Sequence, residues 1–124
     1  MPLLLVAGGT GFAQLRAIAE AAFLDQFEND IHAFWGVRKP EDFHSLDLLQ
    51  QWQTQFSNFN YTLAISDDVD SWQGQKGLIP TVVLQNMPDL SSYRCYASGP
   101  SAMISTAESA FIEQGLQPNW FYCD

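Results

Sequence analysis

The chain begins with a short, continuous apolar run that ends at two glycines. Residues 3–7 read LLLVA, and Gly8 and Gly9 follow directly. Such a run, closed by turn residues, is typical of a strand buried on both faces, as in parallel sheets covered by helices. From Phe12 onward the apolar residues instead recur every three or four positions, which is the period of an amphipathic helix. These positions are Phe12, Leu15, Ile18, Ala19, Ala22, Phe23 and Phe27. A strand, a glycine turn and a helix therefore open the chain.

The same alternation of strands and helices continues along the sequence. The apolar runs predict further strands at residues 31–37, 60–66, 94–98 and 119–122. Helical spacing predicts a second helix that opens at Pro40 and carries Phe43, Leu46, Leu49 and Trp52, a short helix at 78–85 and a last helix at 101–114. Residues 71–77 are expected to form a loop. Strands that alternate with helices predict an α/β fold, with a parallel sheet between two layers of helices.

The charge of the chain excludes some classes of partner. The 124 residues include 14 acidic and 5 basic side chains, which gives a formal charge of -9. This charge argues against binding to nucleic acid or to an anionic membrane surface. No apolar run approaches the roughly 20 residues of a membrane helix, and the first residues lack the basic start of a secretory signal. We therefore expect a single cytoplasmic domain.

The cysteines, histidines and clustered carboxylates form no metal-binding pattern. Cys95 and Cys123 make no CxxC pair, so we expect buried or inert free thiols and no metal site. An EF-hand loop that starts at Asp68 would need glycine and glutamate where the chain has Gln73 and Ile79. The acidic run around Asp68 is therefore interpreted as a solvated loop.

Three junctions between a strand and a helix are candidates for ligand binding, because ligands of open parallel sheets bind at the carboxyl ends of strands. These junctions are residues 8–12, 36–38 and 98–103. In the first, closely spaced glycines and the start of a helix would suit a pyrophosphate, although the glycines are equally consistent with a tight turn alone. The loop is not G-x-G-x-x-G, because Gln14 stands at the third glycine position.

Four motifs occur in order and at suitable spacings. They are AGGTGF at residues 7–12, WGVR at 35–38, WQGQKG at 72–77 and GPSAM at 99–103. With them the chain resembles the pyridine-nucleotide-binding domain of the ferredoxin reductase superfamily, and most closely its flavin reductase and CDP-6-deoxy-glucoseen reductase branch. The resemblance implies a three-layer, doubly wound, five-stranded parallel sheet of order 3-2-1-4-5. It also implies hydride transfer from NADH or NADPH to N5 of a flavin.

The resemblance assigns roles to particular residues. The loop around Thr10 would run beneath the pyrophosphate and toward the nicotinamide, and Arg38 would lie near a phosphate or ribose. Ser98, at a position where many relatives carry cysteine, would border the nicotinamide, whereas Trp35 is interpreted as core filling. Thr10 and Ser98 are the catalytic candidates. The cofactor-binding candidates are Gly8, Gly9, Thr10, Gly11, Phe12, Gly36, Arg38, Ser66, Asp67, Gly99, Pro100 and Met103.

The end of the third predicted strand bears on the choice of cofactor. Relatives that use NADP commonly have Ser-Arg at this position, and the arginine pairs with the 2′-phosphate. This chain has Ser66 and Asp67 instead. A carboxylate would repel the 2′-phosphate, so NADH is favoured over NADPH.

The resemblance also implies partners. Relatives place an FAD-binding barrel before this domain, so we expect residues 1–124 to be an NAD(P)-binding domain excised from a longer reductase, with FAD on the other domain. An iron-sulfur domain or protein is a further candidate partner. Two other functions stay open: a non-catalytic interaction domain that kept the fold, and a flavodoxin-like electron carrier, which ranks last because the first loop has only Thr10 as a hydroxyl residue.

Overall fold

The computed structural model describes residues 1–123, and in these residues strands and helices alternate. The strands are β1 (Leu3–Gly8), β2 (Ile31–Val37), β3 (Phe59–Ile65), β4 (Gln75–Lys76), β5 (Arg94–Ser98) and β6 (Phe121–Cys123). The α-helices are α1 (Phe12–Leu24), α2 (Leu46–Gln55), α3 (Ile79–Asn86) and α4 (Ser101–Glu113). Within this part of the chain, no helix combines the length and apolar character needed to cross a lipid bilayer.

All the strand pairs are parallel, and the described residues form one six-stranded sheet of order β4-β3-β2-β1-β5-β6. The predicted count of five strands is therefore wrong, although the five predicted strands do lie in the expected order. The additional strand, β4, lies in the segment expected to be a loop. It pairs with Ala64 and Ile65 at the sheet edge, and Gly77 N–H donates to the Ile65 carbonyl at 2.8 Å. Two polar residues leave no apolar run, so periodicity could not reveal this strand.

The second helix begins later than Pro40, where its start was predicted. Pro40–Asp42 form a separate 3-10 turn, Phe43 is extended, and Ser45 has a φ of 63° directly before α2. Phe43 leaves the helical path and packs edge-on against Trp35, with ring centroids 5.0 Å apart. The aromatic contact with the core thus replaces the first expected helical turn.

The sheet lies between two helical layers. In β1, Leu3, Leu5 and Ala7 face a core that includes buried residues of α1 and α2, whereas Leu4 and Val6 face a core that includes residues of α3 and α4. Each face of the strand is apolar because each is covered, as expected of a parallel sheet. The predicted three-layer, doubly wound arrangement is confirmed.

The strand order reverses direction between β1 and β5. The chain runs outward from β1 through β2 and β3 to β4, and then returns to place β5 on the other side of β1. In the register, Ala7 lies between Trp35 and Ser98. The carboxyl ends of β1, β2 and β5 therefore meet at one edge, where doubly wound folds bind their ligands.

Candidate functional site

The loop between β1 and α1 is a single 3-10 turn, Gly9–Gly11, held in a tightly constrained shape. Gly9 has a φ of +57°, a left-handed conformation that glycine adopts without strain. At Gly11 a Cβ atom would lie 2.7 Å from the Ser98 carbonyl carbon and closer still to its oxygen. The first loop and the turn after β5 are therefore in backbone contact.

Trp35 supports this loop from the α1 and α2 side of the sheet. Its side chain is 1% exposed, and its indole N–H donates to the Gly9 carbonyl at 2.9 Å. Phe12, the first residue of α1, stacks on the indole with ring centroids 4.2 Å apart. The prediction that Trp35 fills the core is confirmed, but the residue also contacts the candidate phosphate loop.

A cavity of about 490 Å³ lies on the opposite side of the sheet, between the amino ends of α3 and α4. This volume is within the range of roughly 300–1,000 Å³ that is usual for small-molecule sites. It brings together seven predicted residues: Gly8, Gly9, Gly36, Arg38, Ser66, Pro100 and Met103. Gly36 lets α3 pack closely on β2 beside this cavity, because a Cβ at Gly36 would lie 2.8 Å from Ile79 Cβ.

The helices α1, α3 and α4 all begin around this edge of the sheet. Among the described residues, no side chain caps the amino end of any of the three by a hydrogen bond. The first N–H groups of a helix have no partner within the helix, and they carry the positive end of its dipole. This edge therefore offers hydrogen-bond donors and positive potential in a chain whose net charge is -9.

One end of the cavity carries a charged side chain, Arg38, which has an acidic neighbour outside the lining. Arg38 and Ser66 line it, and Arg38 Nε lies 3.7 Å from Asp67 Oδ1. The two strand ends are also joined through the backbone, where Asp67 N–H donates to the Arg38 carbonyl at 3.0 Å. At 3.7 Å and at the surface this ion pair contributes little to stability, so Arg38 is available for an anionic ligand.

The other predicted residues lie outside this cavity. Within residues 1–123, its lining does not include Thr10, Gly11, Phe12, Asp67, Ser98 or Gly99. Thr10 is exposed in the loop. Ser98 instead lines a smaller cavity of about 150 Å³, beside the stacked rings of Tyr96 and Tyr122. Neither catalytic candidate therefore lines the cavity between α3 and α4.

Seven lining residues are not among the named candidates, although Val37 and Ala102 lie within the candidate junctions 36–38 and 98–103. The additional residues are Val37, Gly77, Leu78, Ile79, Pro80, Ala102 and Thr106. Leu78 is 67% exposed although it is a large apolar residue. The motif that ends at Gly77 points to this segment, and Ala102 lies within the GPSAM motif. Nothing in the sequence, however, indicates that α3 begins opposite α4.

The thiols and carboxylates near the site have other surroundings. Cys95 is buried in β5 as predicted, and burial raises the pKa of its thiol far above the usual range, which disfavours the reactive thiolate. Cys123 is exposed. Asp68 pairs with Lys76 at 3.0 Å. Over residues 1–123, no three His, Cys, Asp or Glu side chains are grouped as metal ligands.

Comparison with known proteins identifies the family. Residues 5–109 match the family described as Oxidoreductase NAD-binding domain. The chain belongs to this family. It is 36% identical over 124 residues to the CDP-6-deoxy-L-threo-D-glycero-4-hexulose-3-dehydrase reductase of Yersinia pestis, covering 100% of this chain and 37% of that protein. It is 32% identical over 113 residues to a probable flavin reductase of Photobacterium leiognathi, covering 91% of this chain and 48% of that one. The chain thus spans less than half the length of these relatives.

Solved structures share the fold. A crystal structure of a cytochrome P450 reductase from Amycolatopsis matches with a TM-score of 0.92 at 24% identity, over 98% of this chain and 36% of that one. A ferredoxin NADP+ reductase from Neisseria gonorrhoeae, solved with bound FAD and NADP, matches with a TM-score of 0.79 at 18% identity, over 99% and 55% of the two chains. The predicted membership of the ferredoxin reductase superfamily is confirmed, and this domain is the NAD-binding part of such reductases.

Proposed function

We propose that this domain binds NADH at the carboxyl edge of its sheet and presents it to a flavin held by an FAD-binding domain. The observation that carries the proposal is the cavity in which Gly9, Arg38, Ser66 and Met103, from four separate segments, converge in a member of an NAD-binding family. The chain spans part of its relatives, so the flavin domain and the complete reaction are part of the proposal.

The residues around the cavity fit a dinucleotide. The pyrophosphate would lie over the loop that contains Gly9, where uncapped helix starts and the Arg38 guanidinium offset its negative charge. The apolar walls formed by Ile79, Pro80 and Met103 would exclude water from the aromatic and ribose parts. The main task of these residues is to bind and orient the cofactor.

The proposed reaction requires alignment more than acid–base chemistry. When bound, the reduced nicotinamide supplies a hydride, which is two electrons and one proton, to the flavin. Thr10 and Ser98 are proposed to lie beside the nicotinamide, where a hydroxyl group can orient the ring by hydrogen bonding. The contact between Gly11 and the Ser98 carbonyl supports this proposal, because it joins the two segments that carry these hydroxyls.

Asp67 is proposed to favour NADH over NADPH. Its carboxylate lies beside Arg38 and directly follows the cavity residue Ser66, so a 2′-phosphate near these residues would meet both repulsion and competition for the guanidinium. Removing this repulsion should be worth at least about 1.4 kcal/mol, which corresponds to a factor of about ten in affinity. Asp67→Arg should therefore lower the ratio of the NADPH dissociation constant to the NADH dissociation constant by about tenfold or more.

A neighbouring carboxylate provides the matched control for Asp67. Asp68 is 87% exposed and pairs with Lys76, away from Arg38. Asp68→Arg makes the same change in net charge and should leave the ratio within about twofold. Titrating both variants with NADH and with NADPH at one salt concentration tests the proposed role of Asp67. An unchanged ratio of the two dissociation constants in Asp67→Arg would contradict this role.

The binding site itself is tested by amide chemical-shift mapping. The purified domain should be colourless, because the flavin is proposed to lie on another domain. Titration with NAD+ should move the amide resonances of Gly9, Thr10, Arg38 and Gly99. Saturating NAD+ without shifts at these residues would support the alternative function, a non-catalytic interaction domain. Stoichiometric yellow flavin in the sample would contradict the proposed separation of flavin and dinucleotide.

The reductase partners are proposed from the names of relatives. A toluate 1,2-dioxygenase electron transfer component of Pseudomonas putida is 31% identical over 98% of this chain and 36% of its own length. The name of this relative supports a further electron acceptor after the flavin, and we propose that this acceptor is an iron-sulfur domain or protein. Reduction of an added ferredoxin by the longer reductase tests this, and flavin reduction without electron transfer to ferredoxin would contradict it.

A further inference from the structure

Trp35 joins the core to the candidate phosphate loop by a hydrogen bond. The indole is almost completely buried, yet its N–H reaches the carbonyl of Gly9, an exposed loop residue, at 2.9 Å. A buried indole N–H needs a partner, and here the partner belongs to the candidate phosphate loop. The residues lie 26 positions apart, so the bond joins the carboxyl end of β2 to the loop that follows β1.

This bond also sets the direction of the next N–H group. Gly9 has a φ of +57°, and the described residues contain no cis peptide bond. In a trans peptide the carbonyl and the following N–H point in opposite directions. The Gly9 carbonyl points to Trp35, which packs with the α1 and α2 core. The Thr10 N–H therefore points away from Trp35 and from that core.

The cavity lies on the side of the sheet opposite to Trp35. Ile79 and Met103, which line it, pack with the α3 and α4 core, and Gly9 lines it too.

Phe12, the first residue of α1, stacks on the indole of Trp35 with ring centroids 4.2 Å apart. One side chain thus contacts both ends of the turn that leads into α1.

We propose that Trp35 is a positioning residue, whose indole N–H holds the Gly9–Thr10 peptide with its N–H directed toward the phosphates of the dinucleotide. This inference rests on the proposed function. Without the indole N–H, the Gly9–Thr10 peptide can rotate, and only a fraction of molecules keeps the binding orientation. The apparent dissociation constant rises by the reciprocal of that fraction. One hydrogen bond of ordinary strength predicts about a three- to tenfold loss of NAD+ affinity.

Trp35→Phe tests the inference, because it keeps an aromatic ring against Phe12 and removes the N–H. The matched control is Trp52→Phe. Trp52 is also a buried tryptophan of the same core, but it packs against Phe23 and Phe59, away from the loop. Both variants lose similar volume and should lose similar stability in urea unfolding.

The variants should differ in NAD+ binding and in the resonances of the loop. Trp35→Phe should bind NAD+ three- to tenfold more weakly, with the Thr10 amide resonance shifted or broadened in the free protein. Trp52→Phe should bind NAD+ within about twofold of the original chain. Equal affinity in Trp35→Phe and the original chain would overturn the role of Trp35 while leaving the proposed function intact. Failure of the original chain to bind NAD+ would instead overturn the proposed function.

A measurement on the unmodified chain keeps the inference testable if Trp35→Phe fails to fold. NAD+ should slow hydrogen exchange of the Trp35 indole N–H, because the ligand would hold the loop closed around that bond. The Trp72 indole N–H, which donates to the Gln75 carbonyl at 2.8 Å, provides the control and should exchange at an unchanged rate. Binding of NAD+ with no slowing at Trp35 would refute the inference.

Discussion

Gly11→Ala should destabilise the domain because of a single steric contact. The backbone of Gly11 is right-handed helical, with φ −61° and ψ −9°, so alanine is allowed there and its lower backbone entropy in the unfolded chain would favour folding by about 0.4–1 kcal/mol. The new Cβ, however, would lie 2.7 Å from the Ser98 carbonyl carbon and 3.2 Å from the Gly99 nitrogen. Overpacking of this kind typically costs about 1–3 kcal/mol. We expect a net loss of about 1–2 kcal/mol.

Gly9 provides a contrast, because a side chain at this position would meet an unfavourable backbone conformation and no steric clash. A Cβ there would have no heavy-atom neighbour within 4 Å among the described residues, but the φ of +57° costs alanine about 1–2 kcal/mol. Asparagine tolerates this conformation, so Gly9→Asn should recover most of the loss that Gly9→Ala causes. Gly11→Asn should be at least as unstable as Gly11→Ala, because its side chain is larger.

Urea unfolding of the four variants measures these differences. A loss of 1–2 kcal/mol should lower the midpoint by about 0.5–1 M for a slope near 2 kcal/mol/M, with the slope unchanged. Gly11→Ala with the stability of the original chain would refute the steric argument. The same conclusion would follow if asparagine rescued position 11 and not position 9.

Three further predictions concern the rest of the fold. Burial lowers the pKa of His32 below its usual 6.5, so the folded state favours the neutral imidazole. The free energy of unfolding should therefore fall as the pH drops through 6.5. His32→Gln should reduce this dependence of the free energy of unfolding on pH, as measured by urea titrations. Asn58 donates to two carbonyls between α1 and β2, at 3.0 and 2.7 Å, so Asn58→Ala should cost about 1–3 kcal/mol in the same assay, whereas Asn60→Ala on the exposed side of β3 should cost less than about 0.5 kcal/mol. A thiol reagent should modify Cys123 rapidly and Cys95 only after unfolding, and a Cys123→Ser variant that still reacts rapidly would contradict this.

Local patterns predicted most of the elements because each rests on a short-range physical cause. The run at residues 3–7 is buried on both faces of β1, and the helical spacing from Phe12 onward forms α1. Prediction was wrong where a distant contact decided the local structure. Phe43 packs on Trp35 and delays α2, and β4 forms because Gln75 and Lys76 meet the edge of β3.

The candidate site divides in the same way. The glycine loop, Arg38 and the GPSAM turn could be identified along the chain, and the cavity brings Gly9, Arg38 and Met103 together. The segment from Gly77 to Pro80 was missed as part of the lining. Its place depends on how α3 crosses the sheet beside α4, and a run of four residues carries no signal of that crossing.

The sequence by itself determined the alternation of elements, the acidic charge and the glycine loop, because these depend on residue type and short spacing. Only the tertiary structure decided which side chains meet. Met103 and Ser98 are five residues apart yet line different cavities, since α4 turns away from β5 between them. The indole of Trp35 meets Gly9 because parallel pairing sets β2 beside β1 in one register. That register depends on residues far apart in the sequence. Because it places Trp35 beside the first loop, it also determines the burial of Trp35, its hydrogen bond and its proposed role.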